Sequence, residues 1–161
     1  MSLTSRSNIA WLLLSVLVIV ADQLVKLWLV HTLPLFGQIE IFPHLNLVHM
    51  HNTGAAFSMF NRAPALVFIL LSVVVSAAIA SWLWRHPEGE RIVAAALALI
   101  LGGALGNAID RVRLGYVVDF VDFYVGHWHF AAFNVADSAI TMGAGLLLLD
   151  MLIHSRKQEP A

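Results

Sequence analysis

The chain has 161 residues, is 60% hydrophobic and 12% charged, and has a mean hydropathy of +0.81. A soluble domain carries about 25% charged residues, so this composition places the chain in a membrane. The net charge of −1 leaves no electrostatic footprint for nucleic acid or an acidic partner, and the absence of cysteine excludes disulfides, thiol nucleophiles and thiolate metal sites.

In chain order, Arg6 precedes an apolar run from Ile9 to Ala21 that continues through Asp22 to Val30 without a small-residue cleavage site. It reads as a retained signal-anchor helix over about 8–30. Asp22 and Lys26 stand one helical turn apart inside it, a pair that must face protein or water. Either it fixes this helix against other polar groups or it takes part in the chemistry directly. The next connection, about 33–62, is too apolar for a plain loop: Ile39-Glu40-Ile41 and Leu45 to His51 alternate like strands, punctuated by Pro34, Gly37 and Pro43. A small sheet or hairpin is expected there, then the turn Asn52-Thr53-Gly54 and a short apolar segment from Ala55 to Phe60.

Apolar runs over about 63–84 and 92–109 are each long enough to span a bilayer, which needs about 20 residues. The third is rich in alanine and glycine, with Gly102 and Gly106 at the G-x-x-x-G spacing that permits close helix approach. Ala139 and Gly143 repeat the spacing in the fourth span, about 134–153. Packing within one bundle accounts for both, and the chain is expected to be a monomer. Basic residues bias the two termini and the short second connection (Arg6, Arg85, Arg91, Arg156, Lys157) toward the cytoplasm, against Arg62, Arg111 and Arg113 on the other side. The expectation is a membrane α-helical fold: one polytopic domain over 1–161, four transmembrane helices, both termini cytoplasmic, and a small extracytoplasmic β-cradle or hairpin.

The connection at about 110–133 and its borders hold unusual polarity: Asp110, Asp119, Asp122 and Asp137 with Arg111, Arg113, Asn107 and Asn134. Asp137 lies about one turn into the fourth helix. Asp119 lies on the connection, ten residues past the expected end of the third span. A hairpin between them can bring both carboxyls to the outer membrane interface. Two carboxyls in one site share a proton, and such a pair hydrolyses an amide without a nucleophilic side chain: one takes a proton from water, the other polarises the carbonyl. The alternative is that Asp137 caps its helix and Asp119 is a solvated loop residue. Arg111 is placed to bridge Asp22 or lipid phosphates, Asn134 to cap the fourth helix, and Asn52 to hold an extended substrate backbone beside the Gly54 turn.

Six of eight histidines lie at or beyond the outer end of the first helix. His49 and His51, like His127 and His129, project to one strand face. No H-E-x-x-H or neighbouring carboxylate completes a ligand pattern, and interfacial His and Trp are ordinary in membrane proteins. No metal or cofactor is expected. A serine/lysine dyad would need Lys26 beside Ser58 or Ser138, and Asp22 holds that charge.

Several motifs point to one family. G-N-A-I-D-R at 106–111, V-V-D-F at 117–120 and F-N-V-A-D-S-A-I at 133–140 resemble the signature blocks of bacterial lipoprotein signal peptidase (signal peptidase II). N-T-G-A-A-F at 52–57 and D-Q-x-x-K at 22–26 resemble its remaining blocks, in the same order. The resemblance implies an aspartyl intramembrane peptidase of the bacterial inner membrane, with its site at the outer, periplasmic face. It implies cleavage of a diacylglyceryl-modified prolipoprotein just before the lipidated cysteine. Asp119 and Asp137 would be the catalytic pair, Asp122 a bystander, and Asn52, Gly54, Asn107, Asp110, Arg111, Asn134 and Ala136 would line or support the site, with Asp22 and Lys26 beside them. Substrate and membrane lipid are the implied partners. A polytopic ion or proton transporter is the rival reading, because intramembrane carboxylates mark ion pathways; gathering of the acids near one face and the lack of internal repeats argue against it.

Overall fold

The computed structural model describes residues 3–54, 64–85 and 89–156. The expected apolar segment from Ala55 to Phe60, together with Ser58, Arg62 and Lys157, lies outside the described residues. Four helices form the body: α1 (Leu3–Thr32), α2 (Ala65–Arg85), α3 (Arg91–Leu114) and α4 (Val135–Arg156). Each contains a stretch long and apolar enough to cross a membrane. The shortest of these is 21 residues, which at ~1.5 Å per residue reaches the ~30 Å hydrocarbon thickness.

Helix α3 is the axis of the bundle. In its span 61% of residues are buried, against 17–22% in the other three, whose outer faces carry exposed Leu, Val and Trp side chains. Its small residues make this possible. A Cβ on Gly102 would come within 2.7 Å of Val18, and one on Gly106 within 2.9 Å of the Asp22 carboxyl, so this G-x-x-x-G face meets α1 within the same chain. Gly103 lies under the Ala136 carbonyl, and Gly143 meets the Ala96 carbonyl, where a Cβ would stand 2.7 Å away. These contacts set α4 close to α3.

One end of the bundle carries a four-stranded antiparallel sheet in the order β1 (Gln38–Phe42), β2 (Leu45–Asn52), β3 (Val117–Val125) and β4 (Trp128–His129). Strands β1 and β2 fall where the alternation at 39–41 and 45–51 predicts them, and Gly126, at φ +60°, makes the β3–β4 turn. Leu29 and Leu33 at the end of α1 pack on Val118 and Phe120 of β3, seating the sheet on the helices. A second apolar cluster of Leu83, Val93, Ala94, Leu97 and Ala98 closes the other end. An irregularity in the β2–β3 register between Leu47 and Met50 turns both Val48 and His49 inward. Beyond it Met50 pairs with Asp119 and Asn52 with Val117, so Asn52 stands diagonally across from Asp119.

Helix α3 does not end near Ile109. It continues to Leu114 and stops at Gly115, whose φ of +82° and N–H bonded to the Arg111 carbonyl form a left-handed cap. Arg111 and Arg113 in the last turn favour the continuation, because cations offset the negative helix end. Asp110 and Arg111 are therefore helical residues, and Asp119 follows the helix end by five residues, not ten.

Candidate active site

The site is built on the first turn of α4. Asn134 precedes the helix, and its Oδ1 accepts the Asp137 N–H at 2.9 Å; the Asn134 N–H donates back to Asp137 Oδ2 at 3.2 Å. This reciprocal capping satisfies two groups that a helix start leaves open. A third, the Ala136 N–H, donates to Asp22 Oδ1 at 2.9 Å. Thus α1 supplies part of the α4 cap, and the position of Asp137 depends on both.

The Asn134 amide also reaches the sheet. With its Oδ1 turned to the Asp137 N–H, its Nδ2 donates to Asp119 Oδ1 at 2.7 Å. The structure therefore brings Asp119 and Asp137 to the two sides of one asparagine. Capping and pairing, alternatives in the sequence, are realised by the same residue. Asp119 is 2% exposed, and Asn52 Nδ2 donates to its second oxygen at 2.9 Å. The Asn52 Oδ1 is turned away from Asp119 by the Gly54 N–H at 3.0 Å, a local side-chain turn. Asp137 Oδ1 accepts from Asn107 Nδ2 at 2.7 Å.

Each amide direction is set by a group that can only donate. For Asn107 that group is Lys26. The Lys26 ammonium meets Asn107 Oδ1 at 3.0 Å, Asp22 at 2.7 Å and Asp110 at 2.9 Å, so its three donors have three acceptors. Asp110 also accepts the Val118 N–H at 3.2 Å, tying the start of β3 to α3. Arg111 does not bridge Asp22. Its Nη2 donates to the Gly54 carbonyl at 2.7 Å, and its guanidinium lies 4.9 Å from the Phe68 ring centre. It holds the turn that orients Asn52.

Burial raises the Asp119 carboxyl to about 7, reinforced by the negative charge of Asp137 and opposed by hydrogen bonds from Asn52 and Asn134 and by the Lys26 charge. A cavity of about 560 Å³ opens on Asp137, with Asp119 buried behind the Asn52 and Asn134 amides. Asn52, Asn107, Arg111 and Asp137 give it a polar wall, and Phe130, Phe133, Ile140 and Met142 an apolar one. A polar wall thus meets an apolar one within a single cavity. Among the described residues no group of three or more His, Asp or Glu is arranged to hold a metal ion. His49 instead directs Nδ1 to the Leu33 carbonyl at 2.9 Å, and His51 stacks on Tyr116 at 3.6 Å.

Two polar groups were undervalued in the sequence. Gln23 donates to Asp110 at 2.8 Å and accepts from Arg113 at 3.3 Å, linking α1 to the end of α3. Its signal was available, since positions 22, 23 and 26 share one helical wedge. Asp122 is no bystander to the fold: it is buried, accepting Asn46 Nδ2 at 2.8 Å and His129 Nδ1 at 2.9 Å. It serves the sheet, and only strand register reveals that.

Known proteins with similar sequences and structures point one way. The family model described as "Signal peptidase (SPase) II" matches residues 14–153. A lipoprotein signal peptidase of Acinetobacter baylyi is 49% identical over 155 residues, covering 94% of this chain and 86% of the relative. One from Coxiella burnetii (strain Dugway 5J108-111) is 48% identical over 152 residues, covering 92% and 93%. A solved bacterial membrane enzyme, determined by the in meso method at 2.3 Å resolution, superposes with a TM-score of 0.85 at 29% identity, covering 94% of this chain and 93% of that one.

Proposed function

The chain belongs to the signal peptidase II family, and from that premise we propose that it is a multi-pass membrane endopeptidase of aspartyl type that removes signal peptides from prolipoproteins. The observation that carries the mechanism is the placement of Asp119 and Asp137 on either side of Asn134. The family supports a protease; the raised Asp119 carboxyl supports a protonated member of an acid–base pair at neutral pH. The transporter reading has no support in the family or the fold.

The reaction follows from the pair. Asp137, ionised, takes a proton from a water molecule, whose oxygen attacks the scissile carbonyl carbon. Asp119, protonated, gives its proton to the carbonyl oxygen, forming a tetrahedral diol. The diol then collapses: its C–N bond breaks, a hydroxyl proton returns to Asp119, and Asp137 passes its proton to the leaving nitrogen. The products are a free carboxyl on the signal peptide and a free amine on the lipoprotein. No cofactor enters any step. Asn52, Asn107 and Asn134 keep both carboxyls aimed by donating to them, while Asp22, Lys26, Asp110, Arg111, Gly54 and Ala136 hold those amides and the α4 cap.

The substrate is a prolipoprotein whose lipobox cysteine carries diacylglycerol, cut just before that cysteine. Apolar walls beside the polar pair support a lipidated ligand arriving from the bilayer. The enzyme acts as a monomer in the bacterial inner membrane, termini inside and sheet outside, in line with the charge bias. Cleavage of a purified diacylglyceryl-modified precursor by the protein in lipid tests this. Asp119→Asn and Asp137→Asn should each abolish it, chelators should not, and unlipidated precursor should be turned over poorly. Full activity in either variant refutes the aspartyl mechanism.

A further inference from the structure

On the α1 side of α4 lies a second, narrower cavity of about 320 Å³. Its walls are Leu17 and Ala21 of α1, Leu99 of α3, Phe120 of β3, and Ala139 and Met142 of α4. Its polar lining residues, Asn134 and Ser138, are paired within the chain: the Ser138 hydroxyl donates to the Asn134 carbonyl at 2.9 Å, and the Asn134 amide is engaged with Asp119 and Asp137. The groove therefore makes no demand for a polar ligand. It belongs to the membrane-spanning part of the molecule, between two spans whose outer faces meet lipid.

Its dimensions select among apolar occupants. Along α4 it runs from Val135 to Met142, which at ~1.5 Å per residue is roughly 10 Å down from the sheet end. That lies within the ~15 Å of hydrocarbon in one leaflet. At about 320 Å³ spread along two turns of α4, the groove is narrow, and a single polymethylene chain is thin enough to lie in it. The groove also adjoins the candidate site across α4: Ser138 and Met142 line both cavities, and Asn134 forms one end.

We propose that this groove receives one acyl chain of the substrate's diacylglyceryl group, its glyceryl end toward Asn134 and its methyl end toward Met142. The inference rests on the peptidase reading and adds to it a place for the lipid. The signal peptide and scissile bond then occupy the larger cavity, on the other side of the α4 ridge. An acyl chain lying against Asn134 ties lipid recognition to the residue that holds the carboxyl pair.

Ala21 and Leu17 are exposed to the bilayer, so bulk added there fills the groove without entering the core. Ala21→Phe and Leu17→Trp should raise KM about tenfold for a precursor bearing long acyl chains, leave kcat within twofold, and leave a precursor bearing four-carbon chains unaffected. Equal effects on both chain lengths, or none, overturn the proposal. A labelling experiment guards against variants that misfold. The chain has no cysteine, so Ala21→Cys in the Asp137→Asn background takes a single fluorophore. Substrate with brominated acyl chains should quench it; brominated phosphatidylcholine alone should quench it less, and unbrominated substrate should relieve that quenching. Quenching by bulk phospholipid that substrate does not displace overturns the assignment to substrate. Failure of the unsubstituted protein to cleave lipidated precursor would instead strike the peptidase reading itself.

Discussion

Lys26 donates to Asn107 Oδ1 at 3.0 Å, and that bond decides which end of the Asn107 amide faces Asp137. With the oxygen held by the ammonium, Nδ2 points to Asp137 Oδ1 at 2.7 Å. Lys26 thereby sets the polarity of the environment of the proposed general base, Asp137. Lys26→Met should lower kcat about a hundredfold with little change in KM, and Lys26→Arg should keep more activity because it still donates. Breaking a buried ion pair is destabilising, so the double variant Lys26→Met with Asp110→Asn provides the control: with Asp22 still lacking its cation, it should recover part of the thermal stability and none of the kcat. Recovery of both would reduce Lys26 to a structural charge.

The pH profile tests the same network. Asp119 is faced by Asp137 from α4 and by the Lys26 and Arg111 charges from α1 and α3, with the neutral Asn52 on β2. As the protonated member, standing at about 7, it should give kcat/KM an alkaline limb near neutrality. Removing the Lys26 charge, which pulls the Asp119 value down, should move that limb to higher pH. An unmoved limb in Lys26→Met would mean that another group controls it.

Stability carries its own pH signature. The Asp119 carboxyl lies at about 7 in the folded protein against an ordinary 3.8. A raised folded-state value means the folded protein holds its proton more tightly than the unfolded chain. Its stabilising contribution is complete below about pH 4 and is lost as pH rises through about 7. The Tm of the unsubstituted protein should therefore fall between pH 5 and 8 by a few degrees more than that of Asp119→Asn. Parallel curves would show that the residue does not titrate there.

Asp122 should separate folding from chemistry. Asp122→Ala leaves Asn46 and His129 without their buried acceptor, a loss of about 1–3 kcal/mol. Thermal unfolding should report that cost, while kcat in the remaining folded protein stays within about twofold. A large kcat loss would tie the sheet directly to the acid–base pair.

The α3–α4 contact gives a prediction for the backbone. A methyl on Gly103 would meet the Ala136 carbonyl, so Gly103→Ala must push the first turn of α4 away. Activity should fall at least tenfold if Asp137 acts as proposed, because displacement of a reacting group is costly even at about 1 Å. Gly145→Ala on the same helix as Asp137 meets nothing, and its activity should be unchanged.

Sequence alone determined the parts of this protein that depend on local pattern. Hydrophobic runs long enough to cross a bilayer defined four helices, and alternation at 39–41 and 45–51 defined strands, because burying apolar surface and pairing backbone groups are demands each segment makes by itself. Blocks of residues around Asp119 and Asp137 marked the family. The end of α3 was misplaced because Asp110 and Arg111 look like loop residues until the Gly115 cap is considered. Tertiary structure decided what no segment contains. The β2–β3 register put Asn52 beside Asp119, and the close approach of glycines let α3 and α4 bring Asn107 to Asp137. It gave Arg111 to Gly54 and Lys26 to Asn107. Hydrogen bonds are short and directional, so which donor meets which acceptor is settled only when separate elements pack, and the Asp119 and Asp137 carboxyls acquire their orientation from that packing.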